Sequence, residues 1–234
     1  MKIVLLPGMD GTGLLFKDFI RASPLDCLVL SLPESGEQSH KALSEIMVNN
    51  LPTDAYALVA ESFSGGLVPY LIQSAKVKPQ AIILVASFLH SPRPLLAKCV
   101  YYLPWKILLK IPGAKWIVKY WCMNQSSANQ FQQLWTLLCE MDMNLMKRRL
   151  FAIRELDIPE YKTDIPTLCL MAAQDKLVPY CLSNDLVRCF SRLKILSITG
   201  PHFLMQANPD ECATEIVTFM KELEESRYSV CQSD

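Results

Sequence analysis

The sequence predicts an α/β fold: a doubly wound, mostly parallel sheet of about six strands, flanked by helices, with a helical cap inserted between the fourth and fifth strands. Three observations predict it. Short apolar runs rich in β-branched residues recur along the 234 residues, and stretches with helical spacing separate them. From about residue 88 to 160 this rhythm stops, and helical material rich in aromatics and prolines takes its place.

The runs are "KIVLLP" (2–7), "CLVLSLP" (27–33), "YALVA" (56–60), "AIILVAS" (81–87), "TLCLMAA" (167–173) and "KILSIT" (194–199). Each is nearly continuous in apolar residues, as strands buried on both faces of a parallel sheet are. Helical spacing is seen over 39–50, 66–76, 180–191 and 209–225. The last of these opens with Asn208 as a candidate N-cap, Pro209 in the first turn and acidic residues after it. An insertion as long as 88–160 between two strands reads as a cap over a site rather than as a loop. No linker-like composition separates it, so residues 1–234 read as one domain.

Half of the chain is apolar, one-fifth is charged and the formal net charge is zero, which gives no electrostatic reason to expect nucleic acid as a partner. Nine cysteines occur without a C-x-x-C pair. Cys27, Cys169 and Cys212 sit in apolar runs, where a thiol behaves as a small hydrophobe. A reducing, cytoplasmic compartment is therefore expected, with no disulfide framework, metal site or cofactor. In "MKIVLLPGMDG" the Pro-Gly pair stops the apolar run too early for a signal peptide. No stretch reaches the roughly 18 apolar residues of a membrane span.

Ligands of an open parallel sheet bind outside the carboxyl ends of its strands, where strand order reverses. "PGMDGTG" follows the first strand, "ESFSGG" the third, "QDKLVP" the fifth and "GPHF" the sixth. A glycine-rich turn, a pair of serines, Asp175 and His202 thus fall at one rim. A serine hydroxyl needs a histidine to take its proton, and that histidine needs a carboxylate to orient it. Either Ser62 or Ser64 fits a small-x-Ser-x-small turn.

Taken together, these four segments make the chain resemble the α/β-hydrolase superfamily over nearly its whole length. "LVAESFSGG" is similar to that family's nucleophile elbow, "LLPGMDGTG" to its oxyanion loop, "MAAQDKLVP" to its acid loop and "ITGPHF" to its histidine loop. The resemblance places the nucleophile two residues after the strand. That implies Ser62 as nucleophile, His202 as general base and Asp175 as its acid. It also implies the backbone N–H groups of Met9 and Phe63 as the oxyanion hole. Ala60 and Ser64 stand where the family usually has glycine, and Pro69 falls early in the helix that follows. The implied activity is hydrolysis of a carboxylic ester or thioester through an acyl-enzyme on Ser62. An acyltransferase using the same triad, or a non-catalytic ligand binder on the same fold, are the alternatives.

A dinucleotide-binding reading of "PGMDGTG" with Glu34, Tyr102, Lys106 and Ser87 fails on detail. The glycine spacing is wrong, and Pro104 interrupts the helix that Tyr102 and Lys106 would have to share. His40 reads as a solvated helix-start residue, while His90, after the fourth strand, reads as a substrate contact at the rim. The segment 98–121 carries Lys98, Lys106, Lys110, Lys115 and Lys119 among Tyr101, Tyr102, Trp105, Trp116, Tyr120 and Trp121. The first reading is a lid with a solvated basic face and an apolar face on the core. The second is peripheral contact with an anionic membrane surface. Its aromatics, Trp105 among them, suit a mostly apolar substrate.

Overall fold

All six predicted strands form one parallel sheet in a computed structural model that describes residues 1–93, 101–102, 104–124, 126–157 and 160–231. The strands are β1 (Lys2–Leu6), β2 (Cys27–Val29), β3 (Tyr56–Glu61), β4 (Ala81–Val85), β5 (Thr167–Ala172) and β6 (Leu193–Ile198), in the spatial order β2-β1-β3-β4-β5-β6. Every pairing is parallel. The chain passes from β1 to β2 on one side, then crosses to β3 on the other. The switch point therefore lies at the carboxyl ends of β1 and β3.

Side chains alternate between the two faces with period two. Val4, Leu6, Leu58, Ala60, Ile82 and Leu84 face one core, completed by Leu43, Met47, Leu71 and Leu186 from the helices His40–Met47, Val68–Ser74 and Ser183–Cys189. Ile3, Leu5, Ala57, Val59, Ile83 and Val85 face the other, completed by Phe19 of Lys17–Ala22 and by Ile216 and Phe219 of Pro209–Cys231. Both faces of the inner strands are thus apolar, which is why those strands read as continuous runs. The edge strands β2 and β6 are only half buried.

β2 is shorter than the predicted 27–33. After Leu30, whose N–H still bonds Leu5 O, the chain leaves the sheet, and Leu32 N–H bonds Gly11 O at 2.7 Å in the loop that follows β1. β3 in turn runs one residue beyond its predicted end, to Glu61. Pro69 costs no interior hydrogen bond, because a 3-10 stretch Ser62–Leu67 precedes the α-helix and Pro69 sits in that helix's first turn. Between β4 and β5 lie the helices Trp105–Leu108, Ala114–Cys122, Ala128–Glu140 and Met143–Arg154. Ser127 and Gln130 form a reciprocal capping box at the start of the third, and Asp142 caps the fourth. Leu134 and Trp135 of the third join Leu15 and Met123 in a separate apolar cluster.

Candidate active site

The turn after β3 is tight enough to force Ser62 into positive φ, at 49°, a conformation that is strained for a residue with a Cβ. That strain lifts the Ser62 hydroxyl out of the sheet at the switch point. Its Oγ lies 2.8 Å from His202 Nε2, and His202 Nδ1 lies 2.7 Å from Asp175 Oδ2. A carboxylate only accepts, so Nδ1 carries the imidazole proton and Nε2 is left to accept from Ser62. The other oxygen, Asp175 Oδ1, accepts from the N–H groups of Leu177 and Val178, both at 2.8 Å. The acid and histidine loops are tied together by Ala173 N–H to Ile198 O and by Gln174 N–H to Gly200 O. Burial pushes the His202 pKa down, but the Asp175 carboxylate, its hydrogen bond and the Glu61 charge together push it further up, so the net shift is upward.

Ser64 is fully buried, and its hydroxyl donates to Pro7 O, which fastens the elbow to the loop after β1. Of the two serines, Ser62 is the one whose hydroxyl meets a histidine. His40 corrects the expectation of a solvated residue. Its ring lies 4.3 Å from that of Phe63, with Nε2 3.1 Å from Phe63 O, and burial holds its pKa at about 4. The neutral imidazole therefore donates to that carbonyl and props the elbow from beneath. A Cβ on Gly66 would lie 2.5 Å from the His40 ring, so this contact explains the glycine.

Met9 follows Gly8 in the loop after β1, and a Cβ on Gly8 would lie 3.7 Å from Ser62 Cβ. Met9, Ser62, His202 and Trp105 share the wall of a cavity of about 390 Å³. Leu134, Leu138, Leu150 and Val178 line the same space, whose walls are mostly apolar. Phe63, the residue after Ser62, is buried with its side chain in the core. His90 does not line this cavity; its Nδ1 faces Asp185 at 3.9 Å instead. Lys98 lies outside the described residues.

Two further residues at the site escape the motif-based reading. Glu61 is buried in the cavity wall beside Ser62, its Oε1 has no hydrogen-bond partner among the described residues, and burial pushes its pKa up to about 7. Arg149, in Met143–Arg154, is fully buried. Its Nη1 donates to Met9 O and Asp10 O at 2.9 Å, Nη2 to Pro33 O at 3.0 Å and Nε to Gln38 Oε1 at 3.0 Å. A Cβ on Gly11, whose φ is 74°, would lie 2.2 Å from Nη1. The glycine-rich loop therefore wraps a guanidinium, which leaves no room for the pyrophosphate of the dinucleotide reading. A signal was present in the sequence: Arg149 falls three and four residues after Met146 and Leu145, on the helix's apolar stripe.

No family model and no curated protein matches the sequence. Solved structures do match the fold. An esterase from Exiguobacterium antarcticum aligns with a TM-score of 0.76 at 12% identity, covering 94% of this chain and 92% of its own. A lipase-esterase related protein from Clostridium acetobutylicum gives 0.73 at 15%, covering 93% of each chain. A hydrolase from Pseudomonas aeruginosa gives 0.76 at 12%, covering 94% and 89%. At such identities the likeness speaks for architecture. Superposed over nearly its whole length on these structures, this chain has the α/β-hydrolase fold.

Proposed function

We propose that this protein is a serine hydrolase that cleaves a carboxylic ester or thioester with a mostly apolar acyl or alcohol group. The observation that carries the reading is the unbroken chain Ser62 Oγ–His202 Nε2–Asp175 at 2.8 and 2.7 Å, opening on an apolar cavity. His202 takes the hydroxyl proton as Ser62 Oγ attacks the carbonyl carbon, and Asp175 stabilises the imidazolium that forms. The backbone N–H groups of Met9 and Phe63 receive the oxyanion. On collapse His202 returns its proton to the leaving alcohol or thiol. Water, activated by the same imidazole, then releases the acid and restores Ser62. Residues 88–160 act as the cap, a role supported by the cavity-lining side chains Trp105, Leu134, Leu138 and Leu150 that come from its helices. Acyl transfer would use the same steps, with an alcohol acceptor in place of water.

The test is labelling with a fluorophosphonate and location of the adduct by peptide mass. The expected result is an adduct on Ser62, lost in Ser62→Ala and His202→Ala and kept in Ser64→Ala. A folded wild-type protein that takes no label refutes the reading in favour of a ligand binder.

A further inference from the structure

The helix Ala114–Cys122 is the wrong way round for a helix that faces water. Ala114, Val118 and Cys122 pack on the cluster of Leu15, Phe131, Leu134 and Trp135. At about 100° per residue, the face opposite them belongs to Trp116 and Tyr120. An amphipathic helix on a soluble surface carries its charges there, yet these two aromatics are 79% and 59% exposed. On one side of them Ile117 and Trp121, both exposed, run on to the wall of the cavity that holds Ser62. Before the helix, Tyr102, Ile107 and Ile111 are exposed as well, Ile107 at 64%. Large apolar side chains scattered singly need no explanation, but seven exposed within residues 102–121, four of them on this one helix, do.

The charge carried by this segment has one sign. From residue 94 to 139 the sequence contains five lysines and neither Asp nor Glu. Lys110 is exposed, while Lys115 and Lys119 lie along the flank of the helix, over the Trp135 and Phe131 rings. Exposed indole, phenol and isoleucine ringed by lysine is the chemistry that partitions into the headgroup layer of an anionic bilayer. A second copy of the chain is a poor occupant, since pairing this face with itself sets lysines against lysines. Nucleic acid would meet the lysines but gain nothing from Ile107, Ile111 and Ile117.

We infer that this face docks on an anionic phospholipid surface, with Trp116, Tyr120 and Ile107 entering the headgroup boundary and the lysines meeting lipid phosphates. Because the same face continues into the cavity, the acyl substrate enters from the bilayer; this last step rests on the hydrolase reading above. Docking is peripheral, as no helix among the described residues is long and apolar enough to cross a membrane.

Flotation with phosphatidylcholine vesicles, with and without phosphatidylglycerol, tests the inference. The protein is expected to float with the anionic vesicles and to lose binding as salt is raised. Trp116→Ser with Ile107→Ser should weaken partitioning about tenfold or more, from the apolar area withdrawn. Lys110→Gln should weaken it about fivefold, the effect of one lysine near such a surface. None of these residues lines the cavity, so fluorophosphonate labelling in solution should be unchanged. Labelled protein that does not float, or flotation indifferent to Trp116→Ser with Ile107→Ser, overturns the surface and leaves the hydrolase reading intact. Sedimentation showing a dimer that these substitutions dissolve overturns it in favour of self-association. Flotation without labelling overturns the hydrolase reading instead, and keeps the surface.

Discussion

Replacing Arg149 by Met removes the guanidinium and keeps much of its length, so it separates the hydrogen bonds from the packing. Met9 O, Asp10 O, Pro33 O and Gln38 Oε1 all lose their donor. A buried acceptor left unpaired costs about 1–3 kcal/mol. The fold is at the same time relieved of desolvating a cation, which offsets part of that sum, and the net loss is about 3–5 kcal/mol. For a domain of this size that lowers Tm by about 6–20 °C. The effect on rate is separable. Arg149 holds the carbonyl of Met9, the residue whose N–H is the proposed oxyanion donor, so release of this loop by about an ångström should cost about a hundredfold in kcat. KM, set mainly by the apolar cavity, should change by less than about threefold. Lys in place of Arg keeps a charge without the fork and should fall between. Gly11→Ala reaches the same end from the other side, through a Cβ 2.2 Å from Nη1 at a φ of 74°. The assay is burst acylation by a chromogenic ester, run well below each variant's Tm. Folded Arg149→Met protein with kcat within about twofold of the wild type would refute the positioning role.

Ser64→Ala should keep its fluorophosphonate label but melt lower, since Pro7 O loses its donor; about 1–3 kcal/mol, read from urea unfolding, is the expected loss. Gly66→Ala forces a Cβ to 2.5 Å from the His40 ring and should slow acylation while lowering Tm; unchanged kinetics would show that His40 does not set the elbow. The proposed mechanism needs neutral His202, whose pKa is raised, so activity should fall as pH drops through a midpoint above the ordinary 6.5. A pH–rate profile with its acid limb below that value contradicts the coupling to Asp175. Glu61 titrates at about 7 in the fold against an ordinary 4.5. Its contribution is therefore full below 4.5, where both states are protonated, and declines up to about 7 as the unfolded chain ionises first. Glu61→Gln should flatten that fall of stability with pH, measured by denaturant titration at several pH values.

The inner strands were legible because both of their faces are buried, so composition alone marks them. β2 was overread for the same reason. Leu30 and Leu32 pack in the same core as Val4 and Leu6 although the backbone has left the sheet by Leu32, whose N–H bonds Gly11 O, and local sequence does not distinguish a core side chain on a loop from one on a strand. That Ser62, Asp175 and His202 meet was legible through the residues that turn the backbone at each strand end, not through these three side chains themselves. His40 was misread from its polar flanks, although His40, Leu43, Ser44 and Met47 form one buried helical stripe. Arg149 lies on such a stripe too. In both cases a polar residue occupies a core position of its helix, and in both it serves a backbone carbonyl beside Ser62 that no local pattern contains.

These two props differ in what they allow the proposed cap to do. His40 belongs to the helix His40–Met47, packed on the sheet, whereas Arg149 belongs to the helix Met143–Arg154, which also places Met146, Leu150 and Ile153 on the cavity wall. If that helix swung away to admit substrate, it would withdraw two hydrogen bonds from the loop carrying Met9, and two more from Pro33 and Gln38, and undo the proposed oxyanion hole. An opening there would thus be paid for in catalytic competence at each turnover. The helix Ala114–Cys122 is under no such constraint. Among the described residues its ties to the reacting loops are Lys176 Nζ donating to Tyr120 O at 3.1 Å, with the ammonium over the Tyr120 ring, and Phe203 N–H to Cys122 O at 3.4 Å. Movement that admits substrate should therefore be confined to this helix, the one that carries the exposed Trp116 face. Hydrogen exchange would then be fast in 114–122 and slow in 143–154, and anionic vesicles would change exchange in the first segment alone. Equal exchange in both would mean that the cap opens as one body, and that Arg149 releases the loop whenever it does.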